Sequence, residues 1–83
     1  MVLFENYAWE QYVEWQKLDK DKLRKINNLI KECQRTPFTG IGKPEPLKGN
    51  LHGFWSRRID DEHRLIYSHA NNTLTIISCK YHY

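Results

Sequence analysis

The chain has 83 residues, with 13 Lys or Arg against 10 Asp or Glu, a net charge of +3 and a pI near 9.0. That length supports one domain, residues 1–83, with a single two-layer core and no room for a second. No apolar run reaches the roughly 18 residues a bilayer crossing needs, and no basic-then-apolar leader opens the chain, so a cytoplasmic protein without a membrane partner is expected.

Val2-Leu3-Phe4 fits a first strand, and Asn6 is a suitable cap for the helix that follows. In that helix Trp9, Tyr12 and Val13 fall at i, i+3 and i+4 and form the expected inward face, with Glu10, Glu14 and Lys17 on the others. Asp19 reads as the cap of a second helix whose Leu23, Ile26, Leu29, Ile30 and Cys33 keep helical spacing up to Pro37. Its lysines and arginines are mixed with acids, the pattern of a solvated helix surface. Two consecutive helices with a short joint imply an antiparallel pair on one face of a sheet.

Residues 36–50 show no periodicity and hold Pro37, Gly40, Gly42, Pro44, Pro46 and Gly49. Loops this long in small domains tend to carry function. Glu45 stands between Pro44 and Pro46, which hold it on stiff, extended backbone, and Lys43 and Lys48 flank it. It is either a solvated acid on a rigid turn or a presented base.

Two runs of strand formers, 54–59 and 64–67, flank the acidic tip Asp60-Asp61-Glu62 and predict a hairpin. A three-residue loop would set Arg58 opposite Arg64 on one face, where like charges repel unless acids or a bound anion intervene. They are either solvated and bridged to the tip or a phosphate clamp. Residues 65–67 and 74–79, separated by Asn71-Asn72, extend the sheet as a meander, and the last strand leads to Lys80-Tyr81-His82-Tyr83. The helices can cover one sheet face. The other is left as a concave site, a partner surface or both.

Four His and two Cys invite a metal site, but no His-x-x-x-His or Cys-x-x-Cys spacing occurs, so neither metal nor cofactor is expected. Cys33 and Cys79 occupy apolar periodic positions, which suit buried thiols rather than nucleophiles. Cleavage of an RNA phosphodiester fits the residue types better. Attack by a 2′-hydroxyl needs a base, cations for the non-bridging oxygens and an acid for the leaving 5′-oxygen. Glu45, the hairpin arginines and His82 supply one of each, and Tyr81 or Tyr83 could stack on a splayed base. Two other readings use the same surface: a non-catalytic RNA- or ribosome-binding module, and a protein-binding sheet face.

The segments 35–38 (RTPF), 42–48 (GKPEPLK), 53–58 (GFWSRR), 62–65 (EHRL) with Tyr67, and 81–83 (YHY) resemble, in that order, the YoeB toxins of the RelE superfamily. The first strand, first helix and 68–73 turn match in pattern only, and Lys80 stands where an arginine is expected. The resemblance implies an α+β, RelE-like fold: two N-terminal antiparallel helices packed on one face of a twisted, mainly antiparallel sheet. It implies a ribosome-dependent endoribonuclease cutting mRNA in the ribosomal A site, a homodimer, and neutralisation by a YefM-like antitoxin. Carried onto this chain, Glu45 is the general base, Arg64 the transition-state stabiliser and His82 the general acid. Lys48, Arg58 and Tyr83 contact phosphate or base.

Overall fold

The computed structural model describes residues 1–81. Strand β1 (Val2–Phe4) leads into helix α1 (Asn6–Leu18), which Asp19 alone joins to α2 (Lys20–Arg35). Then follow β2 (Glu45–Pro46), a 3-10 turn (Gly49–Leu51), β3 (Trp55–Arg58), β4 (Arg64–Ala70) and β5 (Thr73–Ser78). Among the described residues the five strands form one sheet in the order β1-β5-β4-β3-β2. Only the β1–β5 pair is parallel, so the sheet is mixed but mainly antiparallel, with two helices packed against it.

Helix α2 follows its sequence. The Asp19 side chain accepts the N–H groups of Asp21 at 3.0 Å and Lys22 at 3.2 Å, satisfying donors that the first turn leaves free. Ile26, Leu29 and Cys33 are buried along one stripe, and each of the larger two contributes about 2 kcal/mol by leaving water. The helix ends at Arg35, two residues before Pro37.

Helix α1 departs from expectation twice. Asn6 is its first residue rather than its cap, and the capping position, Glu5, makes no side-chain bond. Glu5 N–H instead donates to Ile76 O at 3.0 Å, so pairing with β5 fixes where the helix begins. The fully buried residues are Ala8, Gln11 and Trp15; of the expected face only Tyr12 packs partly buried against the core, while Trp9 and Val13 are exposed. Polar bonds decide this: the Gln11 side-chain oxygen accepts Cys79 N–H at 2.7 Å and the Ser78 hydroxyl at 3.1 Å, and Trp15 Nε1 donates to Cys79 O at 2.9 Å. Trp9 stacks on Tyr12 at 5.6 Å, and both rings lie against Phe4 in a peripheral aromatic group.

The hairpin register sorts the sheet's two faces. Trp55 pairs with Tyr67 and Arg57 with Leu65 on the helix-covered side, where Ile59, Leu65, Tyr67, Leu74 and Ile76 form the core. By strand alternation Ser56–Ile66 and Arg58–Arg64 point the other way. Ile66 and Ser56 are nevertheless shut off from solvent, so this face is less open than expected. Ile66 pairs with Ser78 and Tyr67 with Ile76, so Ile77 is an extra residue that bulges β5 beside this surface.

Candidate active site

Glu45 is delivered by a loop stitched to β3 on both sides. Gly42 (φ +80°) and Lys43 (φ +51°) turn the chain, and Gly42 O accepts Arg58 N–H at 2.6 Å. Beyond Glu45, Leu47 N–H donates to Phe54 O at 2.9 Å. Glu45 pairs with Ser56, which aligns its side chain with the helix-free face. The flanking prolines fix φ and spend no donors, so a two-residue edge strand suffices to hold the carboxylate.

Glu45 Oε1 lies 3.5 Å from Arg64 Nη1. Arg58 stands directly opposite Arg64, as the acidic tip predicted, and its own guanidinium reaches Asp61 at 3.9 Å. Two like charges are thus tolerated side by side because each is turned toward an acid. Both pairs are solvent-accessible and of the kind worth about 1 kcal/mol or less, so a phosphate can displace either carboxylate at little cost. Lys48 is exposed, three residues past Glu45, at the head of the 3-10 turn.

Tyr81 reaches the same place. Arg64 N–H donates to Tyr81 O at 2.9 Å, fixing the residue that precedes His82 against the arginine of the site. Glu45, Arg58, Arg64 and the backbone of Tyr81 are therefore brought together. His82 and Tyr83, the expected acid and a contact residue, lie outside the described residues.

Arg57 does not join them. It is fully buried on the helix side, where Nη1 donates to Ile41 O at 3.1 Å, Nη2 to Thr39 O at 2.8 Å and to Thr36 O, and Nε to the Tyr67 hydroxyl at 3.1 Å. Tyr67 in turn donates to Pro37 O at 2.6 Å. Burial pushes the Tyr67 phenol up to about 12, against the pull of the Arg57 hydrogen bond, so it remains a donor. This pair fastens the first half of the loop whose second half presents Glu45. The signal was in the sequence: Arg57 sits in the alternating row Trp55, Arg57, Ile59, whose other members are apolar.

A family model described as "YoeB-like toxin of bacterial type II toxin-antitoxin system" matches residues 4–83. The chain belongs to that family. It is 54% identical over 82 residues to Toxin YoeB of Escherichia coli strain K12, a match spanning 99% of this chain and 98% of the relative. The structure superposes on that of a heterotetrameric YoeB-YefM toxin-antitoxin complex from Staphylococcus aureus with a TM-score of 0.93, at 49% identity over 100% of this chain and 97% of the other. A YoeB dimer from the same organism gives 0.92 at 49% identity, covering 99% and 95%. Fold and family thus agree, and this YoeB-like chain is a toxin of a type II toxin-antitoxin system. No helix among its described residues is long and apolar enough to cross a membrane.

Proposed function

We propose that this toxin is a ribosome-dependent, metal-independent endoribonuclease that cuts mRNA in the ribosomal A site and so stops translation in the cytoplasm. The observation that carries the reading is the Glu45–Arg64 contact at 3.5 Å on the helix-free face, with Arg58 opposite. A carboxylate inside a cationic phosphate site weakens binding by repulsion, and its presence makes sense for proton transfer.

Phosphate binding draws Arg64 from Glu45 to a non-bridging oxygen and leaves the carboxylate beside the ribose. Glu45 takes the 2′-hydroxyl proton as the O2′–P bond forms, and Arg64 stabilises the charge gathering on phosphorus-bound oxygens. The P–O5′ bond breaks, and His82 supplies the proton that O5′ needs, giving a 2′,3′-cyclic phosphate and a 5′-hydroxyl. Arg58, Lys48 and Tyr83 hold flanking phosphates and a base. The dimer and YefM complex of the Staphylococcus aureus relatives support a homodimer neutralised by a YefM-like antitoxin.

The test is primer extension on mRNA in a translating extract. Wild-type protein should introduce cuts that Glu45→Ala does not, while Glu45→Ala still co-sediments with ribosomes. Equal loss of cutting and binding would favour the non-catalytic binding module.

A further inference from the structure

We infer that His63 is a positioning residue: by accepting the Tyr81 N–H on its imidazole Nδ1, it holds the backbone of Tyr81 against the hairpin beside Arg64. The inference rests on the reading above, in which the residue after Tyr81 carries the acid.

The Tyr81 N–H meets His63 Nδ1 at 2.7 Å, and the Tyr81 carbonyl meets the Arg64 N–H at 2.9 Å. Two adjacent hairpin residues thus grip both polar backbone groups of a single tail residue. Tyr81 has φ +64°, a left-handed conformation that costs a non-glycine residue about 1–2 kcal/mol and persists only where its surroundings impose it. The clamp is the imposing contact, and it ends one peptide before His82.

The imidazole is itself fixed from several sides. Its ring meets Trp15 edge-on at 4.9 Å, and Trp15 is tied to Cys79 O. The His63 N–H donates to Asp60 Oδ1 at 2.6 Å, its carbonyl accepts the N–H groups of Ile59 and Asp60, and Asp60 is bridged to Lys22 of α2 at 2.9 Å. As Nδ1 accepts, it carries no proton, so a neutral ring bears its hydrogen on Nε2, which faces Glu62 Oε1 at 3.6 Å. A leucine keeps apolar volume against Trp15 but offers no acceptor; the Nδ1 acceptor is what only some side chains reproduce. Asparagine places its Oδ1 near the position of Nδ1, whereas glutamine reaches toward that of Nε2.

His63→Asn, His63→Gln and His63→Leu are compared with wild type in single-turnover cutting of ribosome-bound mRNA and in hydrogen exchange of the Tyr81 amide. In wild type that amide should exchange slowly. In the Gln and Leu variants it should exchange faster while kcat falls by about ten-fold or more at unchanged KM, and Asn should restore both to within about three-fold. A folded Leu variant with wild-type kcat, or a Tyr81 amide equally unprotected in wild type and Leu variant, overturns the inference. Should wild type cut no mRNA, the nuclease reading fails, and the amide exchange alone still decides the clamp.

Discussion

Arg57 and Arg58 are neighbours in one strand and serve opposite sides of the sheet. Arg57 is fully buried among three loop carbonyls and the Tyr67 hydroxyl, while Arg58 faces Arg64 on the helix-free surface. The period-2 geometry of a strand is enough to turn one guanidinium into scaffold and leave the next on the open face where the proposed site lies.

The two should therefore separate stability from activity. Arg57→Leu strands the carbonyls of Thr36, Thr39 and Ile41 and should cost about 3 kcal/mol of unfolding free energy; Arg57→Lys, lacking the fork, should recover only part. Arg58→Ala should cost about 0.5 kcal/mol or less yet weaken mRNA cutting. Urea denaturation read beside primer extension checks both; an Arg57→Leu protein as stable as wild type would contradict the assignment.

Gly42 is the hinge of the loop that delivers Glu45. A Cβ there would sit 2.9 Å from Leu29 Cδ2 and 3.1 Å from Arg57 Cβ, on backbone with φ +80°. Gly49 shares the positive φ, at +66°, but has open space around it. Gly42→Ala should thus destabilise by about 3 kcal/mol, combining strain and overpacking, and Gly49→Ala by about 1 kcal/mol. Denaturation midpoints of equal size for the two would show that the contact with α2 is not felt.

How much of this was legible depended on whether local chemistry or tertiary contact decided each feature. The extent of α2 followed from Asp19, its apolar spacing and Pro37, and the Arg58–Arg64 register followed from three acids at a turn. The face of α1 did not, because Gln11 looks solvent-seeking until Ser78 and Cys79 supply its partners from 67 and 68 residues away. Arg57 was hidden by its charge, although its row was visible. The parallel placement of β1 beside β5 joins opposite ends of the chain, and no local pattern encodes it. For the site, the proline-braced Glu45 and the opposed arginines were readable, while the clamp on Tyr81 needed the fold.

Asp60 gives an acid-side signature. Burial opposes ionisation of its carboxyl, but the Lys22 ammonium and the N–H groups of His63 and Glu62 prevail, and its pKa falls from 3.8 to about 2. A lowered folded-state pKa means that the stabilisation is complete above the unfolded value and disappears as pH drops through the folded one. Wild type should accordingly lose stability between about pH 4 and pH 2, and Lys22→Met should show a shallower loss over that window. Urea midpoints measured every half unit check this, and identical slopes would contradict it.

Removing residues 82 and 83 should leave a folded protein that cuts nothing. Cys79 remains bound to Gln11 and Trp15, and Tyr81 to His63 and Arg64. The melting temperature should move by no more than about 3 °C while primer-extension stops vanish. Undiminished cutting by the shortened chain would remove His82 from the mechanism.

The most direct measurement of the proposed chemistry is single-turnover cleavage of ribosome-bound mRNA carrying sulfur in place of the bridging 5′-oxygen at the cut site. A thiolate leaves without being protonated, so His82→Ala should cut this substrate at close to the wild-type rate, while Glu45→Ala and Arg64→Ala remain defective. If sulfur rescues none of the three, or rescues Glu45→Ala as well as His82→Ala, then the division of labour among carboxylate, guanidinium and imidazole proposed for this toxin is wrong.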